Sequence, residues 1–254
     1  MRRLDIDKQI LERIIKAPST SAVIPGSTPV ISFGDFTTSS FTTLSINPSS
    51  REFLQRSKLI PASKKRLVDK ESLKIELDAP VQQEHAEAIW EGCRNYFEPT
   101  SNPLDWFDEL NKVLVYIDRK YDSLNTCHID LVQSATFPAW GKLTQVETQH
   151  LLDDDFDFFK YQISMPNLQT ILINGGKVFD QIKITPGFKV DVVGYIHFES
   201  GSKLVKNRLV KGTGPFGKTV LGWTFPLKSL HVSNPVRKEH YEKLGQWLKN
   251  EVGM

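Results

Sequence analysis

The sequence predicts an α/β fold, a three-layer sandwich whose largely parallel central sheet is flanked by helices. Strand-like runs alternate with helix-period segments through most of the chain, the pattern of α/β proteins. With 254 residues, 39% of them hydrophobic, the chain is long enough to bury a substantial core.

The elements follow in order. The start, MRRLDIDKQILERIIK, mixes acids and bases among apolar positions and reads as an amphipathic helix rather than a signal peptide. PVISF (29–33) and FTTLSI (41–46) read as strands. Segment 58–78 is weakly patterned and reads as a surface excursion. Residues 80–97 set Val81, His85, Ile89, Cys93 and Tyr96 on one helical stripe, with Pro80 suited to the first turn. Residues 103–118, capped by Asn102 and Pro103, carry Trp106, Leu110, Val113, Leu114 and Ile117 at helical spacing. Further strands are expected at HIDLV (128–132), TILIN (170–174), FKVDVVGYIHF (188–198) and LKSLHV (227–232). A final helix over 236–250 carries Tyr241, Leu244 and Leu248. One domain spanning 1–254, with a helical insertion at about 58–118, is expected.

Composition excludes several classes. Charged residues make up 24%, and no apolar run nears the roughly 20 residues of a membrane span, so neither a disordered tail nor a membrane protein is expected. Two cysteines, Cys93 and Cys127, cannot build a disulfide framework or a four-cysteine metal site, and a reducing cytoplasm is the expected setting. The net charge of +2 is unevenly placed. Between Glu199 and Glu239 there is no acid, while Lys203, Lys206, Arg208, Lys211, Lys218, Lys228, Arg237 and Lys238 fall in the same stretch. Such a footprint suits a phosphate backbone. The acidic run LLDDDFDFF (151–159) reads as a solvated face.

GTGPFGKT (212–219) satisfies the P-loop pattern, but its context fails. VLGWTFPLK follows, with a glycine, a proline and β-formers, where a phosphate-binding helix would have to start. A loop offering amides and Lys218 to a phosphate, or a plain turn between strands, remains. His197-Phe198-Glu199 lacks the P-C-x-x-C that a zinc deaminase needs. Cys127, His128 and His150 lack metal-ligand spacing, and no G-x-S-x-G elbow exists. Two loops follow strands directly: INPSS (46–50) and HVSNP (231–235). Both read as strand-to-helix turns, and in an open α/β sheet both sit where ligand crevices form.

Taken together, SINPSS, CHIDLVQSATFPAW (127–140), TILINGGKVFDQI (170–182), FGKTV (216–220) and HVSNPVRK resemble, in order, the motifs of the uracil-DNA glycosylase superfamily. The resemblance covers most of 29–250 apart from the insertion. It implies a four-stranded parallel sheet flanked by helices and a monofunctional enzyme that flips a base out of DNA and leaves an abasic site. It implies DNA as partner, no metal, nucleotide or other cofactor, no membrane, and a monomer. Asn47 would position water and His231 would hydrogen-bond the base as it departs with negative charge. Asp130 falls where the family reads the base edge, and Ser49 where uracil-specific members have a tyrosine that crowds the pyrimidine 5-position. Phe53 or Phe33 could stack on the base or belong to the core. Lys218, Ser233, Arg237 and Lys238 would contact DNA, with the wedge among Pro235, Val236 and Arg237.

Ser49 leaves room for a 5-substituent. A carboxylate at Asp130 accepts from a cytosine amino group, whereas it would oppose uracil O4. The expected substrate is therefore a 5-substituted cytosine, as in the antiphage members that remove glucosylated hydroxymethylcytosine. Uracil repair, a non-catalytic nucleic-acid-binding relative and an unrelated α/β hydrolase or nucleotide-binding protein are the alternatives. Asp130 could also point away and cap a loop.

Overall fold

The run TILIN forms the strand around which the sheet is ordered. The structure, a computed structural model, describes residues 6–61, 64–101, 103–121, 125–200, 203–227 and 233–253. Its helices are α1 (Lys8–Ile15), α2 (Gln83–Arg94), α3 (Trp106–Leu114), α4 (Gln145–Ile163), α5 (Gly176–Ile184) and α6 (Asn234–Val252). Its strands are β1 (Phe41–Ser45), β2 (Leu54–Gln55), β3 (Lys58–Leu59), β4 (Thr126–Asp130), β5 (Thr170–Asn174), β6 (Lys189–Ser200), β7 (Lys203–Thr213) and β8 (Thr219–Trp223).

The expected α/β class holds: helices flank a central sheet of six strands in the order β4-β1-β5-β8-β7-β6. Strand β5 runs parallel to β1 on one side and to β8 on the other. Ile171, Leu172 and Ile173 are wholly buried, as a strand covered on both faces requires. Gly222 lets β8 approach, since a Cβ there would fall 2.4 Å from the Ile173 carbonyl oxygen. Beyond β8 the sheet turns antiparallel through β7 and β6.

Packing divides the chain into two units. The first comprises residues up to Phe36, Ile46–Pro103 and Ile129–Met165; the second comprises Thr37–Ser45, Leu104–His128 and the chain from Pro166 onward. In the second unit α5 packs on β5, and α6 packs on β6 and α3. Two buried polar pairs brace its strands: Thr43 Oγ1 lies 2.6 Å from His128 Nδ1, and Trp223 Nε1 donates to Asn174 Oδ1 at 2.8 Å. In the first unit α1 packs on α2 and α4. Helix α4 starts from a reciprocal cap, Thr144 with Glu147. The segment 58–118, expected as an insertion, gives α2 to the first unit and α3 to the second.

Two local expectations are corrected, and for GTGPFGKT the plain turn holds. PVISF is buried but forms no strand: Val30 N donates to Gln133 O at 2.8 Å, and Gly34 N to Cys93 O at 3.0 Å. The P-loop lookalike is a turn between antiparallel β7 and β8, closed by Gly214 N donating to Lys218 O at 2.8 Å, with Phe216 and Gly217 at positive φ. The acidic run is not a solvated face throughout, because Asp155 on α4 is 2% exposed. The expected strand LKSLHV falls mainly outside the described residues.

Candidate active site

Two loops of the first unit start where β1 and β4 end. In the loop after β1, Asn47 Nδ2 donates to Thr136 Oγ1 at 3.2 Å and to Ser134 O at 3.4 Å. Val132 N donates to Ile46 O at 2.9 Å. The loop after β1 is thereby laid alongside the loop after β4. Both amide hydrogens of Asn47 are engaged, so its Oδ1 is the acceptor left for a water or ligand. Ser49 is exposed and its hydroxyl accepts from Arg51 N at 3.2 Å, capping a single 3-10 turn, Ser50–Glu52, where a longer helix was expected.

Asp130, the last residue of β4, is 3% exposed. Its backbone carbonyl accepts from Gln133 Nε2 at 2.8 Å, which curls the chain immediately after the strand. The next turn is held from beneath by a buried ion pair. Arg13 Nε lies 2.8 Å from Asp155 Oδ1, Asp155 Oδ2 accepts from Gln133 N at 2.7 Å, and Arg13 Nη2 donates to Ser134 Oγ at 3.2 Å. Gln133 N, Gln133 Oε1 and Ser134 Oγ thus each meet a member of the pair, and such polar contacts are what a buried charge pair needs to be tolerated.

Glu52 is the second carboxyl group of this region. It is buried, accepts from Tyr96 Oη at 2.9 Å and from Arg66 Nε at 3.1 Å, and Arg66 also donates to Arg51 O. Burial pushes its pKa up to about 7; Arg66 and Tyr96 oppose the rise, and the nearby charge of Asp130 adds to it. Two buried carboxyl groups therefore stand close enough to influence each other, one of them poised near neutrality.

Sequence reasoning missed Arg13, Glu52, Gln133, Ser134 and Asp155. A signal existed for two of them. Arg13 falls on the apolar stripe of α1 with Ile10 and Ile14, and Asp155 falls on that of α4 with Leu151, Phe158 and Phe159.

Other expectations fare differently. Phe53 is 2% exposed and Phe33 packs edge-on against Tyr96 with centroids 4.6 Å apart, so both belong to the core and neither offers a free ring to a base. Lys218 is corrected as a DNA contact: it is buried, its ammonium donates to Leu168 O at 2.7 Å, and burial lowers its pKa. Ser233 is exposed at the N-cap of α6. Arg237 is half-buried and Lys238 exposed, and both line a cleft of about 890 Å³ with Asp108, Lys112 and Tyr241. His231, and with it the expected convergence of Asn47 and His231, lies outside the described residues. So does the side chain of Pro235, while Val236 is half-buried.

Among the described residues, no group of three or more His, Cys, Asp and Glu side chains is arranged to hold a metal ion. No described helix is long and apolar enough to cross a membrane. No family model matches the chain, and no curated protein does.

Proposed function

We propose that the chain is a monofunctional DNA glycosylase of the uracil-DNA glycosylase type. Its substrate would be a 5-substituted cytosine in DNA, and it would act as a monomer in the cytoplasm. One observation carries the reading: the loop just beyond β1, which bears an orienting amide, Asn47, is hydrogen-bonded to the loop that follows a buried carboxyl group, Asp130, at the end of β4.

The chemistry follows from those groups. The C1′–N bond breaks with its electron pair going to the base, and water adds to C1′. The balance is a sugar hydroxyl and a protonated free base. Asn47 Oδ1 orients the water; an amide is too weak a base to deprotonate it, so positioning is its contribution. Asp130, as a carboxylate, accepts from the exocyclic amino group of a cytosine. Set against uracil O4 it would leave two acceptors facing, at a cost of about 1–3 kcal/mol. His231, as the sequence resemblance implies, would hydrogen-bond the departing base. The exposed Ser49 crowds nothing at the 5-position.

The test is mass spectrometry of bases released from duplexes containing uracil, hydroxymethylcytosine or glucosylated hydroxymethylcytosine. Release of a modified cytosine is expected. Release of uracil alone would overturn the substrate, and release of nothing would overturn the activity.

A further inference from the structure

The hairpin β6–β7 has two unlike sides. On one, Ile196, Phe198 and Asn207 are buried beneath α6: Phe198 lies 4.5 Å from the His240 ring, and Asn207 Nδ2 lies 3.1 Å from His240 Nε2. The other side is open. Cross-strand register sets Tyr195 opposite Arg208, His197 opposite Lys206 and Glu199 opposite Leu204, and all six side chains are exposed. Tyr195 is 53% and Leu204 68% exposed, unusual for side chains of their size.

The cations on this side are held by rings rather than by acids. The ammonium of Lys206 lies 5.1 Å from the Tyr195 ring centroid. Next to it, Arg208 and Lys183 of α5 both lie 5.6 Å from the ring of Phe179. Among the described residues no carboxylate lies within ion-pair distance of Lys183, Lys206 or Arg208. By contrast, Lys211 of the same strand is paired with Glu251 at 2.6 Å. A ring positions a cation without cancelling its charge, so each of the three keeps its capacity for a phosphate.

We propose that this open side of the β6–β7 hairpin binds single-stranded nucleic acid. Charge decides for a polyanion. The exposed Tyr195 ring, with the His197 ring 6.5 Å from it, decides for a single strand, because only unpaired bases expose faces on which aromatic rings can stack. No residue of the candidate active site takes part in this surface, which stands independently of the glycosylase reading.

The test is fluorescence anisotropy of a labelled oligothymidine with the full chain at increasing salt. Wild-type protein is expected to bind, more weakly as salt rises. Tyr195→Ala should weaken binding about tenfold through lost stacking. Lys206→Glu with Arg208→Glu should weaken it tenfold or more, as rough orders. The charge-matched pair Lys243→Glu with Lys249→Glu, on the helix covering the opposite side, should stay within about twofold. Should the double glutamate variant unfold, Lys206→Gln with Arg208→Gln takes its place. No binding by wild type, an equal loss from the α6 pair, or undiminished binding by Tyr195→Ala would each overturn the proposal. So would a dimer in light scattering that Tyr195→Ala abolishes, since a second copy would then occupy the surface. Base release measured in parallel separates the two readings: oligothymidine binding without base release keeps this surface and counts against the glycosylase, and base release without such binding does the reverse.

Discussion

Asn47 and Thr136 meet across 89 positions of sequence, Nδ2 to Oγ1, at 3.2 Å. The contact couples the loop after β1 to the loop that follows Asp130, so the geometry of one is set by the other. On the proposed reading the water-orienting group and the base-reading group form one assembly.

Asn47→Ala removes both donors of that tie. The expected loss of stability is small, about 1 kcal/mol, because one of the two bonds is long. The expected loss of base release is large, about 100-fold, because an unoriented water and a displaced loop both slow the reaction. Single-turnover rates beside a denaturant titration check the two numbers. Full activity at near-wild-type stability would remove Asn47 from the site.

The ion pair under the second loop should behave as a structural keystone. Arg13→Met leaves Asp155 buried and uncompensated, and breaking such a pair costs about 3–5 kcal/mol. Asp155→Asn should cost a similar amount, since the amide oxygen can still accept from Gln133 N but the Arg13 guanidinium is left buried without its counter-charge. Urea unfolding of both variants gives the comparison, and equal small losses would show the pair to be dispensable.

Much of this was legible in the chain, and the reasons for the remainder are physical. TILIN was read to the residue because a strand buried on both faces has no alternative period. Strand β4 was read two residues late because Leu131 and Val132, apolar and buried, continue the pattern into a loop. The position of Asn47 just past a strand followed from the turn residues around it, whereas Asp130, expected inside HIDLV, closes β4. Their support was not legible, because Arg13 finds Asp155 142 positions away and no local pattern announces such a meeting. Lys218 misled for the opposite reason: its motif suggests a phosphate, while its ammonium is spent on a backbone carbonyl inside the protein.

Glu52 makes stability depend on pH in an unusual direction for a carboxyl group. Its pKa in the folded chain is about 7 against an ordinary 4.5. The folded state therefore holds the proton more tightly. The stabilisation is complete below about 4.5 and is lost as pH rises through about 7, amounting to about 3 kcal/mol across that window. Glu52→Gln removes the titration, so the difference between wild type and variant should shift in favour of the variant as pH rises from 5 to 8, about 3 kcal/mol in all. Thermal melts across that range decide it; parallel curves would exclude Glu52 as the titrating group.

Lys218→Met should leave nucleic-acid binding unchanged in its salt dependence. A lysine that meets a phosphate contributes about 0.9 to the slope of log affinity against log salt, and its removal would lower the slope by that amount. A drop of that size would return Lys218 to the surface and contradict its bond to Leu168.

The order of the sheet has a consequence for synthesis. β1 emerges well before its neighbours in the sheet, β4, beginning at Thr126, and β5, beginning at Thr170. At about 5–20 residues per second, a ribosome needs roughly 4–16 seconds to pass from Ser45 to Thr126. Through that interval Phe41 and Leu44, both destined for the core, travel on the nascent chain without a neighbouring strand. A chaperone waiting at the exit tunnel would find them before the sheet does.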